Sequence, residues 1–123
     1  HPRIVVVVDS TLLVTADVLE GMPENGILIV NTSKSVAEIR KKVRATGQRI
    51  FVVDATRISL ETLGRPLPNT PMLGALAKAS GEIELAALLE QVRENFGKKF
   101  SEKVVEGNLR AVERAYEEVR GEE

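Results

Sequence analysis

The chain contains three short runs, IVVVVDST, ILIVNTS and IFVVDAT. In each, four or five apolar and mostly β-branched residues give way at once to Asp or Asn, with a hydroxyl residue within the next two positions. Unbroken apolar runs of this length, without alternation, read as strands buried on both faces. They predict strands at Ile4–Val8, Ile27–Val30 and Ile50–Val53, with about twenty residues between each pair. That interval holds one helix and its turns. Strand, helix, strand, helix, strand makes two βαβ units, hence a parallel sheet with right-handed crossovers. The expected fold is therefore α/β: three layers (α/β/α) around a mainly parallel sheet, with Rossmann- or flavodoxin-like βαβ units and a C-terminal helix.

The intervening segments carry helical signals. Between Thr11 and Glu20, Leu12, Leu13, Ala16 and Leu19 fall at helical spacing before a stop at Gly21-Met22-Pro23. Ser35-Val36-Ala37-Glu38 is a capping box, the serine oxygen and the glutamate each taking one free backbone donor. Val36, Ile39 and Val43 follow on one face, and Gly47 is placed to be the left-handed residue that ends this helix. A short helix with Ile58 and Leu60 closes at Gly64. Arg65-Pro66-Leu67-Pro68-Asn69 reads as a stiff extended loop, because each proline biases its predecessor away from helix. Thr70-Pro71 then reads as a helix start with threonine as cap, running through Met72, Leu73, Leu76 and Ala79 to Ser80-Gly81. Two more helices carry Leu85, Leu88, Leu89 and Val92, and, from Ser101 to Arg120, Val105, Leu109, Val112, Tyr116 and Val119. The expected organisation is one domain over 1–123, with a βαβ core and following helices to residue 98 and a terminal helix over 99–123.

Composition narrows the function. Only Phe51, Phe96, Phe100 and Tyr116 are aromatic, so Val, Ile, Leu and Ala must build the core. Seventeen basic and eighteen acidic residues give no electrostatic case for nucleic acid or an anionic membrane. The chain has no cysteine, and its one histidine is His1. A disulfide, a thiolate-ligated zinc, an iron–sulfur cluster and a conventional catalytic triad are thereby excluded from it. No glycine-rich phosphate loop is present. The longest apolar run, Ile4–Val8, is far too short to span a bilayer, and a cytoplasmic location is the expectation.

In open parallel sheets ligands bind beyond the carboxyl ends of the strands. Asp9-Ser10-Thr11, Asn31-Thr32-Ser33 and Asp54-Ala55-Thr56 would gather there, offering carboxylate, amide and hydroxyl groups to a ligand. The same residue types also cap helices, satisfying free N–H groups, and either reading accounts for the repetition. Asp9 and Asp54 as a carboxylate pair compete with Asp9 and Asp54 as caps. The basic run Arg40-Lys41-Lys42 with Arg44 lies opposite the Val36/Ile39/Val43 stripe and reads as a solvated face. On residues alone this is an α/β domain without catalytic apparatus of its own. One alternative is a free-standing module binding a nucleotide or phosphorylated ligand at its strand ends. Another is an oligomerisation domain using its last helix.

The run VVDATRISLETLGRPLPNTPMLGALAKASG resembles the gamma subunit of the pyruvate (2-oxoacid):ferredoxin oxidoreductases. A strand, Asp-Ala-Thr, Leu-Gly-Arg and then Asn-Thr-Pro-Met-Leu-Gly-Ala form that family's central run, and VVVVDSTLL and ILIVNTSKS look like its earlier strand–turn segments. The family's glycine-rich G-x-G-G-Q-G turn is not in this sequence, so the resemblance implies a fragment of a longer subunit. It also implies a complete enzyme that oxidatively decarboxylates pyruvate or a related 2-oxoacid with coenzyme A, reducing ferredoxin. Thiamine diphosphate, magnesium and iron–sulfur clusters would be held mainly by the alpha, beta and delta chains, and this chain would be a non-catalytic docking element, inactive alone. From the residues and the resemblance together, the candidate contact positions are Asp9, Asn31, Thr32, Asp54, Arg65, Asn69 and Thr70. The last three stand on a proline-flanked loop leading to a helix N-terminus, where backbone donors favour an anion.

Overall fold

A computed structural model describes residues 3–11, 19 and 21–121. Strands β1 (Ile4–Val7), β2 (Ile27–Asn31) and β3 (Arg49–Val53) lie side by side, parallel and in chain order. Ile4 stands opposite Ile27, and Ile27 opposite Arg49. Five helices follow the pattern read from the sequence: α1 (Val36–Val43), α2 (Ala55–Leu63), α3 (Asn69–Ser80), α4 (Leu85–Gly97) and α5 (Glu102–Glu118). The helix expected between Thr11 and Glu20 lies outside the described residues apart from Thr11 and Leu19.

The unbroken apolar runs are explained by burial on both sides of the sheet. Leu28, Val30, Ile50 and Val52 point to one face, under Ile39 of α1. Ile27, Ile29, Phe51 and Val53 point to the other, under Ala55 and Ile58 of α2, Met72, Ala75 and Ala79 of α3, and Ala111 and Ala115 of α5. The result is the expected α/β/α layering. Small residues on α3 and α5 let those helices approach closely: a Cβ added at Gly74 would fall well inside contact distance of the Val112 carbonyl oxygen. Outside that layer, α4 packs Leu88, Leu89 and Val92 onto Val105, Leu109 and Val112 of α5. The apolar stripe of the last helix is thus core on two sides.

Each strand differs from the sequence reading by one residue at one end, and three helix boundaries differ as well. Helix α1 ends on Arg44, not Gly47, with Arg44 in the left-handed region at φ 57° and ψ 45°. The guanidinium of Arg40 donates to the carbonyls of Thr46 at 3.0 Å and Gln48 at 2.6 Å, which forces the turn early. Arg40 is therefore structural rather than part of a solvated face. Helix α3 starts at Asn69, with Pro68 as its flanking residue at φ −72° and no side-chain cap. The ring of Pro68 already holds a helical φ, and Pro71 sits in the first turn, where its missing N–H costs nothing. Thr70 is accordingly inside the helix and not its cap. Finally, α5 stops at Glu118, short of Arg120. Val119 is extended and Arg120–Gly121 form β4, antiparallel to β3, with Gly121 opposite Phe51. No side chain larger than hydrogen fits there, since a Cβ on Gly121 would run into the Phe51 ring.

Candidate functional site

Beyond the carboxyl ends of the parallel strands is a cleft of about 510 Å³. Val8, Asp9 and Ser10 from the end of β1 line it, with Asn31 to Lys34 from β2, Asp54 and Thr56 from β3 and α2, and Pro66 and Pro68. The geometry brings together Asp9, Asn31, Thr32 and Asp54, as the strand-end argument expects. Arg65, Asn69 and Thr70 do not line it. Arg65 and Asn69 are exposed on the loop and first turn that carry the proline wall. A second cleft, also about 510 Å³, shares Thr32, Ser33, Lys34 and Asp54 and extends past Arg57 to Glu117, Glu118 and Arg120.

Asn31 is the structural centre of this end of the sheet. The residue is buried, with a relative exposure of 8%. The amide nitrogen donates to the Val8 carbonyl at 3.0 Å and to the Thr56 hydroxyl at 2.9 Å. The amide oxygen accepts from the backbone N–H groups of Ala55 at 2.9 Å and Thr56 at 3.3 Å. It caps α2, the helix after the neighbouring strand, and not the helix after its own. That role for α1 belongs to Ser35, whose oxygen accepts from Glu38 N–H at 3.2 Å. Asp54 shares the capping of α2, accepting from Arg57 N–H at 3.0 Å.

The other polar groups are likewise engaged locally. Asp9 accepts from the Thr11 hydroxyl at 2.7 Å and from its N–H at 3.0 Å. Those two bonds, the hydroxyl first, hold the carboxyl below the usual value of 3.8, so it is ionised near neutrality. Thr32 accepts from Lys34 N–H at 3.1 Å. Arg57 pairs with Glu118 at 3.3 Å and lies 3.9 Å from Asp54. Cap and turn chemistry therefore accounts for Asp9, Asn31 and Asp54.

Chemically, the cleft offers hydroxyls of Ser10, Ser33 and Thr32 and the ammonium of Lys34 around a rigid carboxylate and amide frame. It can bind and orient a polar ligand. Among its described lining residues there is no imidazole or thiol. Among the described residues no group of three or more His, Asp or Glu could hold a metal ion. With no cysteine in the chain, the donor set does not fit an iron–sulfur cluster. Among the described residues no helix is long and apolar enough to cross a membrane.

Sequence reasoning passed over Ser59. It is fully buried, donates to the Thr56 carbonyl at 2.9 Å and accepts from Leu67 N–H at 2.9 Å. The available signal was a serine beside Ala55, Ile58 and Thr62 on the inward face of a helix, where a hydroxyl must have a partner.

Comparison with known proteins matches this geometry to a family. Residues 1–118 fit the family model described as pyruvate ferredoxin/flavodoxin oxidoreductase. The chain is 48% identical over 120 residues to pyruvate synthase subunit PorC of Thermotoga maritima, an alignment covering 98% of this chain and 62% of that protein. It is 41% identical over 120 residues to the pyruvate/ketoisovalerate oxidoreductases common subunit gamma of Pyrococcus abyssi, covering 98% and 63% respectively. The crystal structure of pyruvate oxidoreductase subunit PORC from Thermotoga maritima superposes with a TM-score of 0.88 at 45% identity, over 100% of this chain and 66% of that one. The chain thus spans less than two thirds of the length of these curated relatives. The family match runs almost from end to end, over residues 1–118: the chain belongs to the pyruvate ferredoxin/flavodoxin oxidoreductase family.

Proposed function

We propose that this chain is part of the gamma subunit of a 2-oxoacid:ferredoxin oxidoreductase. The assembled enzyme converts pyruvate or a related 2-oxoacid, with coenzyme A, to the acyl-CoA and carbon dioxide while reducing ferredoxin. The observation that carries this reading is the superposition on a pyruvate oxidoreductase subunit over the full length of the chain at 45% identity.

In this reading the chain has a non-catalytic role. The strand-end groups are committed to caps and turns, and the donor set does not fit the iron–sulfur clusters such chemistry uses. In this proposal thiamine diphosphate, magnesium and the clusters are held mainly by the alpha, beta and delta chains, and the enzyme works in the cytoplasm. The proline-flanked loop is the contact element. Arg65 and Asn69 are exposed on it, Thr70 lies in the first turn of α3, and the polar cleft lies behind.

The test is to purify the native full-length protein from its own cell extract and to identify the co-purifying chains by mass. Thiamine-binding and iron–sulfur chains in fixed proportion, with pyruvate- and coenzyme A-dependent ferredoxin reduction, are expected. Recovery of the protein alone would overturn the proposal. In the assembled enzyme, Asn69→Ala is expected to weaken either subunit retention or the apparent affinity for coenzyme A by about tenfold, about 1.4 kcal/mol. Wild-type values for both would remove Asn69 from the contact.

A further inference from the structure

The Pro66–Pro68 wall of the strand-end cleft is attached to the body of the protein by a hydrogen bond that its backbone donates to a buried hydroxyl. Ser59 has two partners. The bond to Thr56 is the local back-bond that serines make within a helix. The bond from Leu67 N–H spans eight positions in sequence and leaves the helix. Leu67 N–H is also shared with the Arg65 carbonyl at 2.9 Å, but that bond shapes the loop without attaching it. The Leu67 side chain does little anchoring, being 51% exposed.

The attachment continues in the other direction. Thr56, whose carbonyl accepts from Ser59, uses its hydroxyl to accept from the Asn31 amide, and Asn31 reaches on to the Val8 carbonyl. A continuous polar chain therefore runs from the end of β1, through β2 and the first turn of α2, to the proline wall opposite. Val8, Asn31, Thr56 and the proline segment are thereby joined in one hydrogen-bonded unit, and Ser59 is its outermost link.

We propose that Ser59 is a positioning residue for this cleft: its hydroxyl holds the Pro66–Pro68 segment at a fixed distance from the strand ends and so sets the affinity of the cleft for substrate in the assembled enzyme. The inference rests on the reading of the chain as part of an oxidoreductase subunit. Its first readout does not.

The experiment compares Ser59→Ala with Ser101→Ala in the full-length subunit and in the assembled oxidoreductase. Ser101 caps α5 far along the chain, accepting from Val104 N–H, and its loss lowers stability without touching the cleft. Amide exchange is followed by mass spectrometry across residues 64–70, and KM and kcat are measured for pyruvate and for coenzyme A. Ser59→Ala is expected to speed exchange in that segment about tenfold and to raise KM for one of the two substrates three- to tenfold, with kcat within twofold of wild type. Ser101→Ala is expected to change none of these. Wild-type exchange across 64–70, or unmoved KM values for both substrates, overturns the inference. If Ser59→Ala does not assemble, Ser59→Cys replaces the hydroxyl with a weak acceptor of similar size, and the same outcomes decide. A wild-type assembly that turns over no 2-oxoacid refutes the functional reading alone, and the exchange comparison then decides whether Ser59 holds the loop.

Discussion

Asn31 shows how much one buried amide can be asked to do. Four hydrogen bonds converge on it, and Asn31→Ala would strand the Val8 carbonyl and the N–H groups of Ala55 and Thr56. Each unpaired buried group costs about 1–3 kcal/mol. Water entering the vacated space will recover part of that, so a net loss of about 3 kcal/mol is expected in urea unfolding. Asn31→Asp keeps the acceptor for α2 but turns the donor toward Val8 into a second oxygen, and it should be no milder. Arg44 is the opposite case. It is the one non-glycine residue with positive φ among those described, and that conformation costs an L-residue about 1 kcal/mol. Arg44→Gly relieves the strain while widening the unfolded ensemble, for a net gain of about 0.5 kcal/mol, visible as a higher midpoint in thermal melts.

At the scale of elements, two helix contacts make separate predictions. At the α3–α5 crossing, Gly74→Ala gains about 1 kcal/mol of helix propensity. The new methyl meets backbone atoms of Val112 and Tyr116, which cannot rotate away, so overpacking should win with a net loss of about 2 kcal/mol on chemical denaturation. Between α4 and α5, Arg93 bridges Glu102 at 3.3 Å and Glu106 at 2.8 Å. The bond that Arg93 donates holds the Glu106 carboxyl below its ordinary value of 4.5. Because the folded value is the lower one, this clasp stabilises fully above pH 4.5 and is lost as the pH falls through the folded value. In Arg93→Met, the carbon-13 titration of the Glu106 carboxyl should move up toward 4.5, and stability should depend less on pH below that point. Both groups are largely exposed, so the effect is small and salt-sensitive.

Over the whole molecule, what could be read in advance follows the range of the interaction. Strands and helices rest on local pattern, so the three apolar runs, the Ser35 capping box and the left-handed Gly64 and Gly81 stand where the residues put them. The strand-end cluster was equally legible, because parallel topology alone sends Asp9, Asn31, Thr32 and Asp54 to one edge. Arg44 and β4 were not legible. The first depends on Arg40 reaching carbonyls of Thr46 and Gln48, and the second on a glycine meeting Phe51 across seventy residues of chain. Ending the chain after Val119 should therefore uncover Phe51, which is 8% exposed, and lower the melting temperature by several degrees.

The bonds of Asn31 also bear on how the protein reaches this state. An amide carried on β2 whose partners come from the end of β1 and the first turn of α2 is satisfied only when all three segments have come together, and the absence of either neighbour leaves it short of partners. Partly assembled sheets are thereby penalised, and unfolding should be all-or-none across segments far apart in sequence. Loss of that amide should reveal itself less in the depth of the native minimum than in its sharpness: a broader denaturant transition, with β1 coming away before β2 and β3.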